Sequence, residues 1–539
     1  MTDPDGSLQR LLPSIHLPAD DIGKVHGTPC TCLRIIPMAS LEGDIPIRVV
    51  LPWIGAAAVV YLLAGPIATT TPGTSIMIAL GTLVIVIAAL STEAAIYILI
   101  CSMLLSPELS ASQGGIAEER SVAIRMDDIL VLLIGFSWFA KSAIQKELGV
   151  FPHTPLNRPI IFYIAACALS TAIGIMAGRI SALSGIFYVL KYVEYFIIFF
   201  MVTNYMTTTK QAKAFLNTAL MTCVIICVYG ILQIPGGGRV SAPFEGQAGE
   251  PNTLGGYLVL MGAIVIGLYL TSNSQRKRRW LMAMVGLIAV PLLFTLSRAS
   301  WVGASGMYLA LIILSERRVI LIGSAVLIVA LSPILVPEQV TFRALSTFQE
   351  VPGYSATERL GGFALDPSAS ARVTTSRRAF EAWQESPIWG YGITGAGIFL
   401  DGQYFRTLVE LGLIGTFGFF WLVWTAFRVG KHNFMNAKSE FSKGLSLGYI
   451  AGLVGLLIHS IGSTTFIILR IMEPFWLMTA IVLLLPTIEE VEQEVEEEIQ
   501  HEELPTSPLA RRSKARMLKQ HRIVRSRDLI RSHLDKEWH

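Results

Sequence analysis

Arginine residues in the short polar segments between long apolar runs are the first candidates for chemistry. Several of these segments contain arginine and no lysine, although a simple tolerance of positive charge would admit both residues. A guanidinium group is permanently charged, and its planar fork matches the oxygens of a phosphate group. The pattern therefore predicts phosphate binding by a subset of these arginines: Arg179, Arg239, Arg298, Arg343, Arg359, Arg372, Arg377, Arg378 and Arg470.

Four of the arginines have surroundings that suit a phosphate group. Arg298 lies between two apolar runs in TLSRASWVGASG, and Arg239 follows three glycines whose backbone amides favour anions. Arg372 and Arg377 belong to ARVTTSRRAFEAWQE, which predicts a helix over about residues 370–385. Two alternatives remain open. Arg298 could be an anchor at the membrane surface, and the helix arginines could pair with nearby glutamates.

Three carboxylates, Asp401, Glu245 and Glu250, lie in the same kind of segment and are candidates for a general base. Each also has a structural alternative, because Asp401 suits the N-cap of the following helix and Glu250 precedes a proline at a helix start. Asn252 could hydrogen-bond a sugar or cap that helix. These segments show no Asp-x-Asp motif, so we predict a metal-independent reaction without a cofactor.

Two polar groups within apolar runs need a separate explanation. Lys191 and Glu194, in FYVLKYVEYF, are nearly one helical turn apart and are predicted to neutralise each other. In a transporter they would instead mark a permeation path. His459, in GLLIHSIGSTTF, is predicted to contribute to a polar contact between helices.

The elements that position these residues are predicted to be membrane-spanning helices. Of the 539 residues, 53% are hydrophobic and only 15% are charged, and the mean hydropathy is +0.57. This composition predicts an all-α polytopic membrane protein with 12–14 transmembrane helices and membrane lipids, but no nucleic acid, among its partners. The apolar runs lie near residues 47–66, 74–90, 92–106, 128–144, 158–177, 182–204, 212–234, 252–271, 279–296, 299–314, 317–335, 403–428, 444–466 and 468–486.

Basic segments at 272–280, 315–318 and 428–444 predict the cytoplasmic side of the membrane and place both termini there. The predicted extracytoplasmic segments contain no pair of cysteines that could form a disulfide, and this favours a protein of the bacterial inner membrane. The predicted organisation is, in chain order, a cytoplasmic leader at 1–46, transmembrane helices over 47–335, a large extracytoplasmic loop bearing short helices over 336–402, transmembrane helices over 403–486, and a charged cytoplasmic tail at 487–539.

Four segments in this order resemble the O-antigen ligase and Wzy-type polymerase superfamily of bacterial envelope glycan enzymes. They are RMDDIL (125–130), FEGQAGEPNTLGGYL (244–258), LSRASWVG (296–303), and SARVTTSRRAFEAWQESPIWGYG with DGQYFRTLVELGLIG (370–415). Each motif alone is weak, and the resemblance rests on their order and placement over about residues 45–486.

The resemblance implies a GT-C-like membrane glycosyltransferase that polymerises or transfers a polyisoprenyl-diphosphate-linked oligosaccharide on the outer face of the inner membrane. Its partners would be this glycan donor and a glycan, lipid or protein acceptor. Arg298, Arg372, Arg377 and Arg239 would bind the diphosphate, and transfer would invert the anomeric centre.

One position departs from the family pattern. Ligases of the family carry a histidine-asparagine pair where the large loop re-enters the membrane, whereas this chain has Asp401-Gly402. A carboxylate would then act as the base. Two alternatives from other classes remain: a solute transporter of the bicarbonate type, and a protein O-oligosaccharyltransferase that differs only in its acceptor.

Overall fold

The computed structural model describes residues 82–84, 86–88, 90–109, 124–144, 152–245, 249–346, 359–360, 363–364, 366–397, 400–501, 529–530 and 532. All of them belong to one compact unit, Ala56–His539. The predicted leader at 1–46, the predicted span at 47–66 and most of the one at 74–90 lie outside the described residues, as does most of the tail beyond His501.

Every predicted apolar run from residue 92 onward is a helix. The described residues contain helices α1 (Thr92–Leu105), α2 (Met126–Ile144), α3 (Asn157–Met176), α4 (Ala182–Tyr205), α5 (Thr209–Gln233), α6 (Pro251–Thr271), α7 (Gln275–Phe294), α8 (Arg298–Leu314), α9 (Arg318–Leu335), α10 (Glu338–Leu345), α11 (Pro367–Glu385), α12 (Gln403–Asn436), α13 (Glu440–His459) and α14 (Leu469–His501). Two antiparallel pairs of two-residue strands, β1 (Glu108–Leu109) with β2 (Ile124–Arg125) and β3 (Arg359–Leu360) with β4 (Phe363–Ala364), lie in loops.

Seven helices in the described part of the chain are long and apolar enough to cross a membrane. They are α3, α4, α5, α6, α12, α13 and α14. The pair α9 and α10 passes the same test together but bends by 102° between them, and α1 and α8 are shorter apolar helices. The protein is therefore an all-α polytopic membrane protein, as predicted. The described residues give seven or eight spans by this criterion, against the predicted 12–14. Two of the predicted runs lie wholly or mostly outside the described residues, and several others form short helices or begin with charged turns.

The centre of the bundle consists of α6, α13 and α14, whose apolar faces are the most completely buried. Glycines allow α6 and α13 to approach closely: a Cβ atom on Gly448 would lie 2.6 Å from the Ala263 carbonyl oxygen, and one on Gly267 would overlap the backbone at Gly444. Such small-residue contacts are a common basis of helix packing in membranes, where burial of apolar surface provides little driving force.

The three basic segments meet at one end of the bundle. Lys443 forms an ion pair with Glu316 at 2.7 Å, and the Asn273 backbone amide donates to Glu440 at 3.0 Å. Helix α8 runs from this end to Arg298 at the opposite end. The charge asymmetry found in the sequence is thus an asymmetry between the two ends of one helix bundle.

The predicted ion pair between Lys191 and Glu194 was wrong. Lys191 Nζ contacts Asp128 Oδ2 at 2.8 Å instead. Asp128 lies in the first turn of α2, which packs against α4, so the lysine reaches a carboxylate on a neighbouring helix rather than one on its own. Spacing along one helix could not reveal this partner.

Candidate functional site

The start of α8 places Arg298 at the end of the bundle opposite the basic segments. Ser297 is the N-cap, and its hydroxyl accepts a hydrogen bond from the Ser300 amide at 3.3 Å. Arg298 is the first helical residue, and its Nη2 atom lies 2.9 Å from Asp366 Oδ2. A helix N-terminus attracts anions through its amides and its dipole, and this one carries a guanidinium group as well.

Asp366 belongs to the large loop, where it caps α11. Its carboxylate accepts a hydrogen bond from the Ala369 amide at 2.8 Å, and Pro367 occupies the first helical position. This arrangement is a strong helix start, and α11 covers the helix predicted at about 370–385. Asp366 was not among the predicted site residues, although Asp-Pro ahead of the arginine-rich helix was a readable N-cap signal.

Arg372 lies on α11 and faces the chain segment that leads into α12. Its Nε atom is 3.5 Å from Asp401 Oδ2, an ion-pair distance rather than a close hydrogen bond. Both side chains are partly accessible, at 30% and 37% exposure. The two residues that the sequence assigned to the diphosphate and to the proton are therefore neighbours.

Four arginines gather at this end and are called the arginine cluster here: Arg239, Arg298, Arg343 and Arg372. Arg239 Nε donates to the Thr295 carbonyl oxygen at 3.0 Å, which fixes it beside the start of α8. Burial lowers the pKa of Arg239, and the positive charges of Arg343, Arg372 and Arg298 lower it further. Arg343, on α10, was recognised only as one of the nine arginines, because nothing in its local sequence distinguishes it.

The arginine cluster has an excess of positive charge. In the described part of the chain, Arg298 contacts Asp366 and Arg372 contacts Asp401. The four arginines and these two carboxylates together carry a formal charge of +2. Because like charges close together are costly, a bound anion would stabilise such a cluster. A diphosphate diester carries two negative charges at neutral pH and has oxygens for several guanidinium forks.

Glu245 lies in the loop that also carries Arg239, and it forms a buried ion pair with Arg470. Arg470 Nη1 lies 3.5 Å from Glu245 Oε1, and both side chains are fully buried. Glu245 also accepts hydrogen bonds from the amides of Ala242 and Glu250, at 3.1 and 2.9 Å. Burial raises the pKa of Glu245 to about 7, against the opposing effect of Arg470. These contacts engage Glu245 in ordering the loop.

Glu250 and Asn252 lie at the start of α6. Glu250 occupies the N-cap position, but its carboxylate accepts from the Thr253 hydroxyl at 2.8 Å rather than from a backbone amide of the helix. Asn252 Oδ1 accepts a hydrogen bond from the Ser297 hydroxyl at 2.7 Å. Asn252 therefore connects the start of α6 to the start of α8, next to Arg298.

His459 belongs to the same network, which the sequence did not reveal. The last residue of α13, it contacts the Ser300 hydroxyl at 3.2 Å through Nε2 and the Thr465 hydroxyl at 2.7 Å through Nδ1. Ser300 in turn donates to Ser297 at 2.7 Å. The predicted polar contact between helices is present, and it ends directly at the N-cap that precedes Arg298.

Asp401 is not a helix cap. Helix α12 begins after Gly402, which is its N-cap and provides no side-chain hydrogen bond. The start of α12 is instead held by the Gln403 amide, which donates to the Ser460 carbonyl oxygen at 3.0 Å. The structural alternative for Asp401 is thereby removed, and its carboxylate remains next to Arg372 at the accessible mouth of the cluster.

A break in α12 at Gly412 receives the glycine-rich loop that follows α11. Gly412 has φ 63° and ψ −163° inside the helix, a conformation that requires glycine. The amides of Tyr391 and Gly392 donate to the carbonyl oxygens of Val409 and Glu410, at 2.9 and 2.8 Å. This docking fixes the far end of α11 relative to α12, and so fixes Arg372 relative to Asp401.

Arg377 lies on a different side of α11 from Arg372. Five residues separate the two, so their side chains diverge around the helix by more than a quarter turn. The Arg377 side chain is exposed, as is that of Arg378. Five residues were assigned to donor binding. Four of them come together at this end of the bundle: Arg239, Arg298, Arg372 and Asn252. Arg377 is not among the arginines that interact with Arg239.

Comparison with known proteins agrees with this site. Residues 287–420 match the O-antigen ligase (Wzy_C) family model. The matched region begins in α7 and ends in α12, and therefore contains Arg298, Arg343, Arg372 and Asp401 together with the whole large loop. No curated protein matches the chain. The matched segment is similar to the O-antigen ligase family, which supports the resemblance that the motifs indicated.

Proposed function

We propose that the protein is a membrane glycosyltransferase that polymerises or transfers a polyisoprenyl-diphosphate-linked oligosaccharide. The observation that carries the proposal is the arginine cluster with its net positive charge beside Asp401. A lipid diphosphate at the membrane surface needs permanent cations with fixed geometry, and arginines on helix ends supply them. The family match supports glycan transfer in general, and the charge of the cluster supports a diphosphate leaving group.

The proposed reaction is a single displacement. The acceptor hydroxyl attacks the anomeric carbon of the donor sugar while Asp401 accepts the hydroxyl proton. The bond between that carbon and the diphosphate oxygen breaks, and the lipid diphosphate leaves with the electron pair. Arg298 and Arg372 stabilise the negative charge that builds on the leaving oxygen. Attack opposite to the leaving group inverts the anomeric configuration, and no metal takes part.

Asp401 is the preferred base among the three carboxylates. Glu245 is buried under the loop and paired with Arg470, and Glu250 is held by Thr253. Asp401 is accessible and adjacent to Arg372, so a hydroxyl can reach it while the donor is bound. Asn252, next to Arg298, is proposed to hydrogen-bond a sugar of the donor.

The arginine cluster is proposed to face the outside of the bacterial inner membrane, with both termini in the cytoplasm. The basic segments at the other end of α8 support this orientation. The predicted large loop over 336–402 would then lie outside, and the leader and tail inside.

The test is glycan transfer in proteoliposomes from a polyisoprenyl-diphosphate oligosaccharide, without added metal, by the intact protein and by Arg298→Lys. Lysine keeps the charge but loses the planar fork, so we expect a loss of about 100-fold. Arg378→Lys, on the exposed face of α11, is the matched control and should transfer normally. Solute flux across the vesicles without transfer to any acceptor would overturn the proposal in favour of a transporter.

A further inference from the structure

A group of carboxyl side chains inside the bundle plays no part in the proposed transfer reaction. Asp127 and Asp128 lie in the first turn of α2, Glu194 lies on α4 and Glu473 lies on α14. All four are almost completely buried, and they interact electrostatically with one another. These four residues are called the carboxyl cluster.

Glu473 carries the argument because no described residue forms a hydrogen bond or an ion pair with its carboxyl group. Its exposure is 0%, and both of its carboxyl oxygens lack a hydrogen-bond partner among the described residues. Of the described cations, none lies within ion-pair distance of it. An unpaired carboxylate removed from water is so costly that the group takes up a proton instead.

The neighbouring cations already have other partners. Lys191 Nζ contacts Asp128 at 2.8 Å, and Arg125 interacts electrostatically with Asp127. Arg470 donates to the carbonyl oxygens of Pro243 and Ser106, at 2.7 and 3.1 Å, in addition to its pairing with Glu245. With Glu245, five carboxyl groups therefore share three cations, an excess of two negative charges if all are ionised.

The surroundings of the carboxyl cluster are apolar on the side of α4 and α14. Tyr195 and Phe196, which follow Glu194, pack on Trp476, three residues beyond Glu473, with ring centroids 6.3 and 4.7 Å apart. Apolar surroundings favour the neutral form of a carboxyl group.

We infer that the carboxyl cluster is a proton-binding site inside the bundle, with Glu473 held as a neutral carboxylic acid. The proton prevents Glu473 from competing for Arg470, which lies one helical turn earlier on α14. Arg470 thus stays on the loop that carries Arg239. The charged groups that face the site are Asp127, Asp128 and Arg125 from α2 and the strand before it, Lys191 and Glu194 from α4, and Arg470 from α14, with Glu245 from the loop.

The experiment is infrared spectroscopy of the intact protein in lipid nanodiscs at neutral pH. We expect a carbonyl stretching band of a protonated carboxylic acid that shifts in deuterated water and disappears in Glu473→Gln. Glu316→Gln removes an exposed, lysine-paired glutamate and is the matched control that should keep the band. Thermal unfolding establishes that both variants are folded.

The inference would be overturned by the absence of such a band in the intact protein, by survival of the full band in Glu473→Gln, or by loss of the band when sodium replaces choline in the buffer. The last result would show a site for a metal cation. If Glu473→Gln does not fold, the pH dependence of the band in the intact protein still tests the inference. The band must persist at a pH where exposed carboxyl groups are fully ionised, and its loss there would refute the inference. None of these outcomes depends on glycan transfer, so the proposed function stands or falls separately.

Discussion

Arg298 Nη2 lies 2.9 Å from Asp366 Oδ2, and this ion pair joins the first residue of α8 to the N-cap of α11. One helix belongs to the bundle and the other to the large loop. The contact therefore holds the loop, with Arg372 on it, over the end of the bundle. Both side chains are largely buried, at 14% and 7% exposure, so the pair is screened from solvent more than an exposed one.

Substitution of Asp366 should separate its two roles. Asparagine can still cap α11, whereas alanine cannot, so Asp366→Ala should lose about 1 kcal/mol more of the free energy of unfolding than Asp366→Asn. Both variants lose the charge that positions Arg298, and both should raise the KM for the donor. Thermal unfolding and transfer kinetics measure the two effects. Equal stability of the two variants would show that the cap contributes nothing.

Asp401→Asn tests the base. The variant keeps the shape of the side chain but cannot accept a proton, so kcat should fall about 100-fold or more. The unfolding midpoint should hardly change, because Asp401 is partly exposed and caps no helix. Glu381→Gln, on the exposed surface of α11, is the control and should keep normal kcat. Turnover close to normal in folded Asp401→Asn would remove Asp401 from the mechanism.

Gly255→Ala should disturb the polar network under Arg298. A Cβ atom at Gly255 would overlap the Ser300 hydroxyl, which links His459 to Ser297. Overpacking of this kind costs about 1–3 kcal/mol, and transfer should fall because the start of α8 moves. Gly262→Ala on the same helix is the matched control, since its nearest neighbour, Ile288, would be 3.6 Å away. Identical unfolding midpoints for the two variants would contradict the packing described here.

The loop below Arg239 should respond to pH through Glu245. Its pKa is raised from 4.5 to about 7 in the folded protein because the carboxyl group is buried. The unfolded chain therefore loses this proton at lower pH than the folded one. Between about pH 4.5 and 7 stability should decrease as pH rises, by about 3 kcal/mol in total, and level off above that range.

Glu245→Gln removes the ionisable group, so the unfolding midpoint of this variant should depend less on pH over the same interval. The comparison uses the slope against pH, because loss of the contact with Arg470 shifts the absolute stability as well. A slope unchanged from that of the intact protein would show that Glu245 has an ordinary pKa or stays ionised throughout. Glu316→Gln, an exposed substitution, should leave the slope as it is.

Local sequence was sufficient where the physical signal is local. The apolar runs predicted the helices from Thr92 onward, and the basic segments predicted which ends of those helices lie together. Arg298, Arg372 and Asp401 could be chosen because each stands at a helix start or on a helix next to a span. Their residue types restrict the chemistry to binding of an anion and transfer of a proton.

Contacts between distant segments were decided only by the tertiary structure. Asp366 meets Arg298 across 68 residues of chain, and Arg343 joins the cluster through a bend between α9 and α10 that hydropathy does not show. His459 was predicted to form a polar contact between helices, but its partner Ser300 was identified only by the packing of α13. Lys191 found Asp128 rather than Glu194. The sequence by itself determined which helices form and what chemistry their ends can perform, because periodicity, hydropathy and residue type are local properties. Only packing decided which charges meet, because a buried charge pairs with whatever neighbour the arrangement of helices brings within reach.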